Sequence, residues 1–357
     1  MLTIGILAAL GAALSCSTPP AVIPPPAPAP IAFSQIGNHV LPDKRTVEVS
    51  VDVFIPDIAK KTKKVQTWLP YPATTAAQAV FEPVIESPAV FRPIVRLDAV
   101  YNAPSIFVLA DQPLAKEAAT YSPPLPKEIH LTYSMQVERS RVNVADKKPG
   151  VPEAPEAIAK DYANDLKPVA GIEAAEIAAA LAAVPAAADN TAMGRARAIY
   201  DYVVASFEPD NSAAAKTVKE TLAAKRGGAF DYALATVALM RAAGIPARVE
   251  CGITLPENRS PDPVEVTGRT AWVVFYANGT GWTSCDPFAA DRAPELKDYL
   301  FGGVDANRVQ LSVGPSPVLQ PVPDSGAPVF LTDILSEADG KPIPATMKIT
   351  FRDVCPK

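Results

Sequence analysis

Acyl-transfer or hydrolytic chemistry needs a nucleophile with a base beside it, and this chain is poor in both. Its cysteines are Cys16, Cys251, Cys285 and Cys355, and its only histidines are His39 and His130. No histidine occurs between 131 and 357, so a Cys–His or Ser–His couple is excluded there by inventory. Cys251 reads as a small buried core thiol, and Cys285 must face away from its strand neighbour Asp286. His39 and His130 read as surface or edge residues. Asp231 and Asp286 could in principle work as a carboxylate pair, supported only by the presence of two acids. No Cys/His spacing suits a metal ion, and Gly227 and Gly228 read as a tight turn into a helix, not a phosphate loop. The expectation is no cofactor and no metal.

Around these residues the pattern is mixed. An alanine-dominated stretch at 172–187 favours helix. Asp189, Asn190 and Thr191 offer helix-capping side chains ahead of Met193, Ala196, Ile199, Val203 and Phe207 at helical spacing. A further helix runs from Phe230 to Ala243 and is stopped by Gly244 and Pro246. Strands follow at 247–255, 269–276 and 281–286, with a hairpin turn over Ala277, Asn278 and Gly279. A three-residue turn there sets Thr270 opposite Asp286 on one face, where they could hydrogen-bond; a two-residue turn sets Thr270 opposite Pro287. With the sheet ordered 251-strand, 270-strand, 285-strand, the two thiols lie ~9–10 Å apart, beyond disulfide reach.

The segment KRGGAFDYALATVALMRAAGIPAR (225–248), then TAW (270–272) and GWTSCDP (281–287), resembles the transglutaminase-like superfamily. Its members read R-G-x-C-x-D-[FY], L-x-R-A-x-G-I-P-A-R, H-x-W and G-W-x-x-x-D. The resemblance implies a transglutaminase/papain-like α+β core in which a helix N-terminus favours a thiolate, a strand His takes its proton and an Asp orients the His. In this chain Ala229 stands at the Cys position and Thr270 at the His position; Asp286 matches the Asp. A methyl group cannot attack an acyl carbon, so no catalytic residue is expected and the three are relict positions. The family geometry implies the longer hairpin turn. Asp231 would be structural, pairing with Arg226 or Arg248, and Phe230, Trp272 and Trp282 are the candidates for binding in the cleft. The run YLFGGVDANRV (299–309) resembles one bacterial subfamily, which continues Gly-Arg-Asp where this chain has Gly314, Pro315 and Ser316. Bulky Phe230 and the lost triplet would suit a closed cleft.

Upstream, Val47, Val49, Val51 and Val53 alternate with polar residues, and strand-like runs recur at 65–70, 94–100, 105–110 and 128–139. This is the mark of an antiparallel β-sandwich. Met1 to Ser15 is apolar and meets Cys16, as in a secretion signal with a lipoprotein cleavage site. The expected organisation is a signal/lipoprotein segment (1–16), a Pro-rich linker (17–42), a β-sandwich (43–145), the transglutaminase-like core (146–290) and a C-terminal β extension of that core (291–357). Export to the periplasm or outer membrane, with a lipid anchor at Cys16, follows. A net charge of −5 without a basic stripe argues against nucleic acid. The expected function is a binding or scaffolding module of the cell envelope, with a peptide or glycan in the relict cleft. The alternatives are an active cysteine-peptidase or acyl-transferase-type enzyme using non-standard residues, and a purely structural lipoprotein.

Overall fold

The computed structural model describes residues 33–88, 91–111, 125–146, 150, 152–210, 216–326 and 328–354, all within the compact unit Ile31–Cys355. The signal segment, Cys16, most of the Pro-rich stretch and Cys355 lie outside the described residues.

The chain opens on a hairpin, β1 (Phe33–Ile36) and β2 (His39–Pro42), within the stretch expected to be a plain linker. There follow β3 (Lys44–Ile55), β4 (Lys64–Pro70), β5 (Gln78–Glu86), β6 (Arg92–Leu97), β7 (Pro104–Asp111), β8 (Ile129–Ser140) and the short β9 (Val142–Asn143). Helices α1 (Pro155–Asp161), α2 (Ala163–Leu166), α3 (Ala174–Ala182) and α4 (Ala192–Ser206) lead to β10 (Glu208–Pro209), α5 (Val218–Ala224), β11 (Arg226–Gly227) and α6 (Ala229–Ala242). Then come β12 (Ala247–Thr254), β13 (Val264–Val266), β14 (Thr270–Ala277), β15 (Gly281–Cys285) and α7 (Pro287–Arg292). The last elements are β16 (Gly303–Val304), β17 (Arg308–Gly314), β18 (Leu335–Ala338), β19 (Lys341–Pro342) and β20 (Thr346–Asp353).

Two five-stranded antiparallel sheets, β13-β20-β3-β8-β5 and β19-β18-β4-β7-β6, form the sandwich. The alternation of β3 is realised in full, with Val47, Val49, Val51, Val53 and Ile55 all buried. They pack with Ile129, Leu131, Tyr133, Met135 and Val137 of β8, which stand on the same inner face. Arg45 continues that inward face, and its guanidinium donates to Asp353 (2.8 and 2.9 Å), Asn307 Oδ1 (2.7 Å) and the Pro256 and Asn258 carbonyls. Strand β5 was hidden in the sequence by Pro83. It is an edge strand bulged between Phe81 and Val84, with Glu82 at φ 49°, which is where a sheet tolerates proline.

The expected C-terminal extension of the core divides in two. Strand β17 joins the core sheet, β15-β14-β12-β17, but β18, β19 and β20 complete the sandwich, as does the β13 insertion. The physical reason is long-range pairing: β20 lies along β3 from Thr346↔Phe54 to Asp353↔Val47, supplying the neighbour that β3 would otherwise lack. The sandwich core also takes in Ile253 of β12, Leu255 just after it, and Val309 and Leu311 of β17, so sheet and sandwich share apolar contacts.

Helix α6 is the centre of the other half. Every residue from Asp231 to Arg241 is buried, against α4, α5 and the core sheet. Its end is the one the sequence implies: Gly244 at φ 75°, Ile245 N–H to the Met240 carbonyl (2.9 Å) and Gly244 N–H to the Arg241 carbonyl (3.0 Å). Helix α4 is capped by Thr191, whose hydroxyl accepts from Gly194 N–H at 3.0 Å. The chain is thus an α+β protein, an antiparallel β-sandwich beside a helix-on-sheet core.

Candidate functional site

Ala229 is the first residue of α6, and Thr270 is the first of β14, paired with Gly252 on β12. Both are half-buried and line one groove of about 1030 Å³ over the start of α6. Phe230, Phe288, Arg292 and Phe330 complete much of its wall. The groove is therefore open, although Phe230 and Phe330 approach with ring centroids 5.4 Å apart. Pro315 and Ser316 border the groove without filling it.

Asp286 is not brought into this groove. The hairpin has a three-residue turn, but over 278–280: Ala277 pairs with Gly281 and Val273 with Cys285. Gly279 and Gly281, both near φ 80°, let the turn form one residue later than the sequence suggested. Thr270 then runs beyond the β14–β15 ladder, and Asp286 falls past the end of β15 as the N-cap of α7, accepting from Ala289 N–H at 2.8 Å. Its other oxygen is held by Arg308 Nη1, and Arg308 Nε reaches Asp305 at 3.2 Å. The expected Thr270–Asp286 hydrogen bond is replaced by this buried ion pair, with Asp286 1% exposed.

Asp231 lines the groove at the third position of α6 but pairs with neither arginine. Its carboxylate accepts from Gly228 N–H (2.9 Å) and Lys216 N–H (3.0 Å), closing the helix start. Arg226 instead meets Asp210 at 3.1 Å, and Arg248 lies over Trp282 at 4.1 Å. Neither tryptophan lines the groove. Trp272 is fully buried and donates to Glu250 at 2.8 Å, while Trp282 packs on Tyr162 and Tyr276. They alternate onto the sheet face opposite the one that Ala271, Val273, Phe275 and Cys285 present to α6. Of the three aromatic candidates only Phe230 belongs to the groove. Phe330, its partner, comes from a loop whose sequence carries no signal for that position.

Cys251 and Cys285 are unpaired and buried in the core of the α6 half. Burial pushes both thiols up, and the neighbouring Asp286 adds to the effect on Cys285, so neither supplies a thiolate near neutral pH. His130 is exposed on β8 against Phe54, and His39 sits between Glu257 (2.6 Å) and Glu295 (3.1 Å). Among the described residues no cluster of His, Cys, Asp and Glu could hold a metal ion, and no helix is long and apolar enough to cross a membrane.

No curated protein matches this chain significantly. A solved structure from Cytophaga hutchinsonii, named as a suspected cysteine protease, covers 88% of this chain and 92% of its own, with 14% identity and a TM-score of 0.55, and so shares the fold. The periplasmic domain of TgpA from Pseudomonas aeruginosa matches over 70% of this chain and 90% of its own, at 16% identity and a TM-score of 0.34. The Transglutaminase-like superfamily model matches residues 179–287, which include α4, α6, the groove positions Ala229 and Thr270, and Asp286. Residues 179–287 thus match a transglutaminase-like superfamily domain, and in the fold they stand beside a β-sandwich built from both ends of the sequence.

Proposed function

We propose that the protein is a catalytically silent member of the transglutaminase-like group, an exported and lipid-anchored envelope protein whose groove binds rather than transforms its ligand. The observation that carries this reading is the pairing of Ala229 and Thr270 in one open groove: the positions of nucleophile and base hold a methyl and a hydroxyl. Among the described residues no thiol or acid takes their place. The two described thiols are buried and held protonated, and both acids of the relict frame are spent, Asp231 on backbone N–H groups and Asp286 on Arg308. An open groove also favours binding over a purely structural role. Anchoring through Cys16 to outer-membrane lipid rests on the apolar Met1–Ser15 leader alone.

The test is turnover by the purified protein in glutaminase, transamidase and peptidase assays. No release of ammonia, amine incorporation or cleavage above buffer is expected. Turnover that copurifies with the protein through successive columns would refute the reading.

A further inference from the structure

Resting on the reading of the groove as a binding site, we propose that its ligand is an acidic peptide. An extended segment would set an apolar side chain against Phe230 and Phe330 and a carboxylate on Arg269 or Arg292. The charges that border the groove are Asp210, Lys216, Asp231, Arg269 and Arg292. Both acids are already committed: Asp210 to Arg226 (3.1 Å) and Lys216 (3.7 Å), Asp231 to backbone N–H groups. The arginines are not. Arg269 donates only to the Thr332 and Val266 carbonyls, and Arg292 lies by the Phe288 ring, with no carboxylate paired to either among the described residues. The groove thus offers two guanidinium groups, whose planar donors suit a carboxylate, over an aromatic and aliphatic floor.

The same inventory argues against a neutral glycan. Sugar rings stack on open indole faces, and the tryptophans of the core hairpin are buried or packed elsewhere. Gly268 also lines the groove, with no atom within 4 Å of where a side chain would project, so main chain is open to an extended peptide there. Charge complementarity of this kind sets partner choice and makes binding salt-sensitive.

The test is calorimetric titration of the full-length protein with a hexapeptide holding two phenylalanines and two glutamates, and with versions carrying lysine or glutamine in place of glutamate. Peptide recovered afterwards is checked by mass spectrometry. Arg292 is exposed, so Arg292→Glu should leave folding intact. The glutamate peptide is expected to bind roughly ten-fold tighter than the lysine peptide, more weakly at high salt, and roughly ten-fold more weakly to Arg292→Glu. Equal binding of all three peptides, no effect of Arg292→Glu, or no peptide binding would overturn the inference. If a neutral chito-oligosaccharide binds instead, the acidic-peptide inference fails while groove binding stands. Cleaved peptide would overturn the non-catalytic reading itself.

Discussion

Arg308 on β17 closes on Asp286 at the head of α7, so this carboxylate is spent on a buried ion pair and does not line the groove. Both side chains are buried, and Arg308 also reaches Asp305. The carboxylate of Asp286 thereby ties α7 to the core sheet.

Removing the cation from this triad should be costly, because it strands two carboxylates out of water. Arg308→Met is expected to lower unfolding free energy by roughly 3–5 kcal/mol. Adding Asp286→Asn should recover part of that loss. Denaturant unfolding monitored by tryptophan fluorescence checks both.

The hairpin β1–β2 is held to the core through His39, bridged by Glu257 and Glu295, with Val40 N–H also on Glu257 (2.9 Å). The hydrogen bond to Glu257 raises the His39 pKa, against partial desolvation and with help from Glu295. A raised folded value means the contribution is complete below the unfolded pKa of about 6.5 and is lost as pH rises through the folded one. Hydrogen exchange over residues 33–42 should accelerate on that rise beyond the intrinsic pH effect. His39→Ala should abolish the extra acceleration.

Asp353 behaves in the opposite sense. Burial pushes its carboxyl up, but Arg45 and the Ser260 N–H more than offset this and hold it below the usual range. Its contribution is present above the unfolded value of about 3.9 and is lost as pH falls through the folded one. Asp353→Asn is expected to be less stable than wild type at pH 6, with the difference shrinking toward pH 2 in thermal melts.

Much of the core was legible in the sequence, and the reasons are local. Gly244 and Pro246 stop α6 where a C-terminal glycine and a following proline must, and Val47 to Val53 declare their buried face by period two. What stayed hidden depended on distant partners or on small backbone choices. No property of 346–353 announces that it pairs with β3. The turn beside Gly279 and Gly281 could close at either of two positions, and one residue decides whether Thr270 meets Asp286. Phe330 reaches the groove from a loop, where no periodicity points to it.

Thiol chemistry follows from burial. Cys251 and Cys285 should resist maleimide in the native protein at pH 8 and label fully in denaturant, as mapped by mass spectrometry of the peptides that contain them. Native labelling of Cys285 at a rate near that of free thiol would show an accessible nucleophile where burial argues for none.

The most direct test of the central claim pairs the wild type with an Ala229→Cys, Thr270→His double variant in one glutaminase and peptidase assay. If the groove lacks only its reacting groups, the wild type stays silent. The variant then gains slow turnover, limited because Asp286 is held by Arg308. Turnover by the wild type itself would contradict the account.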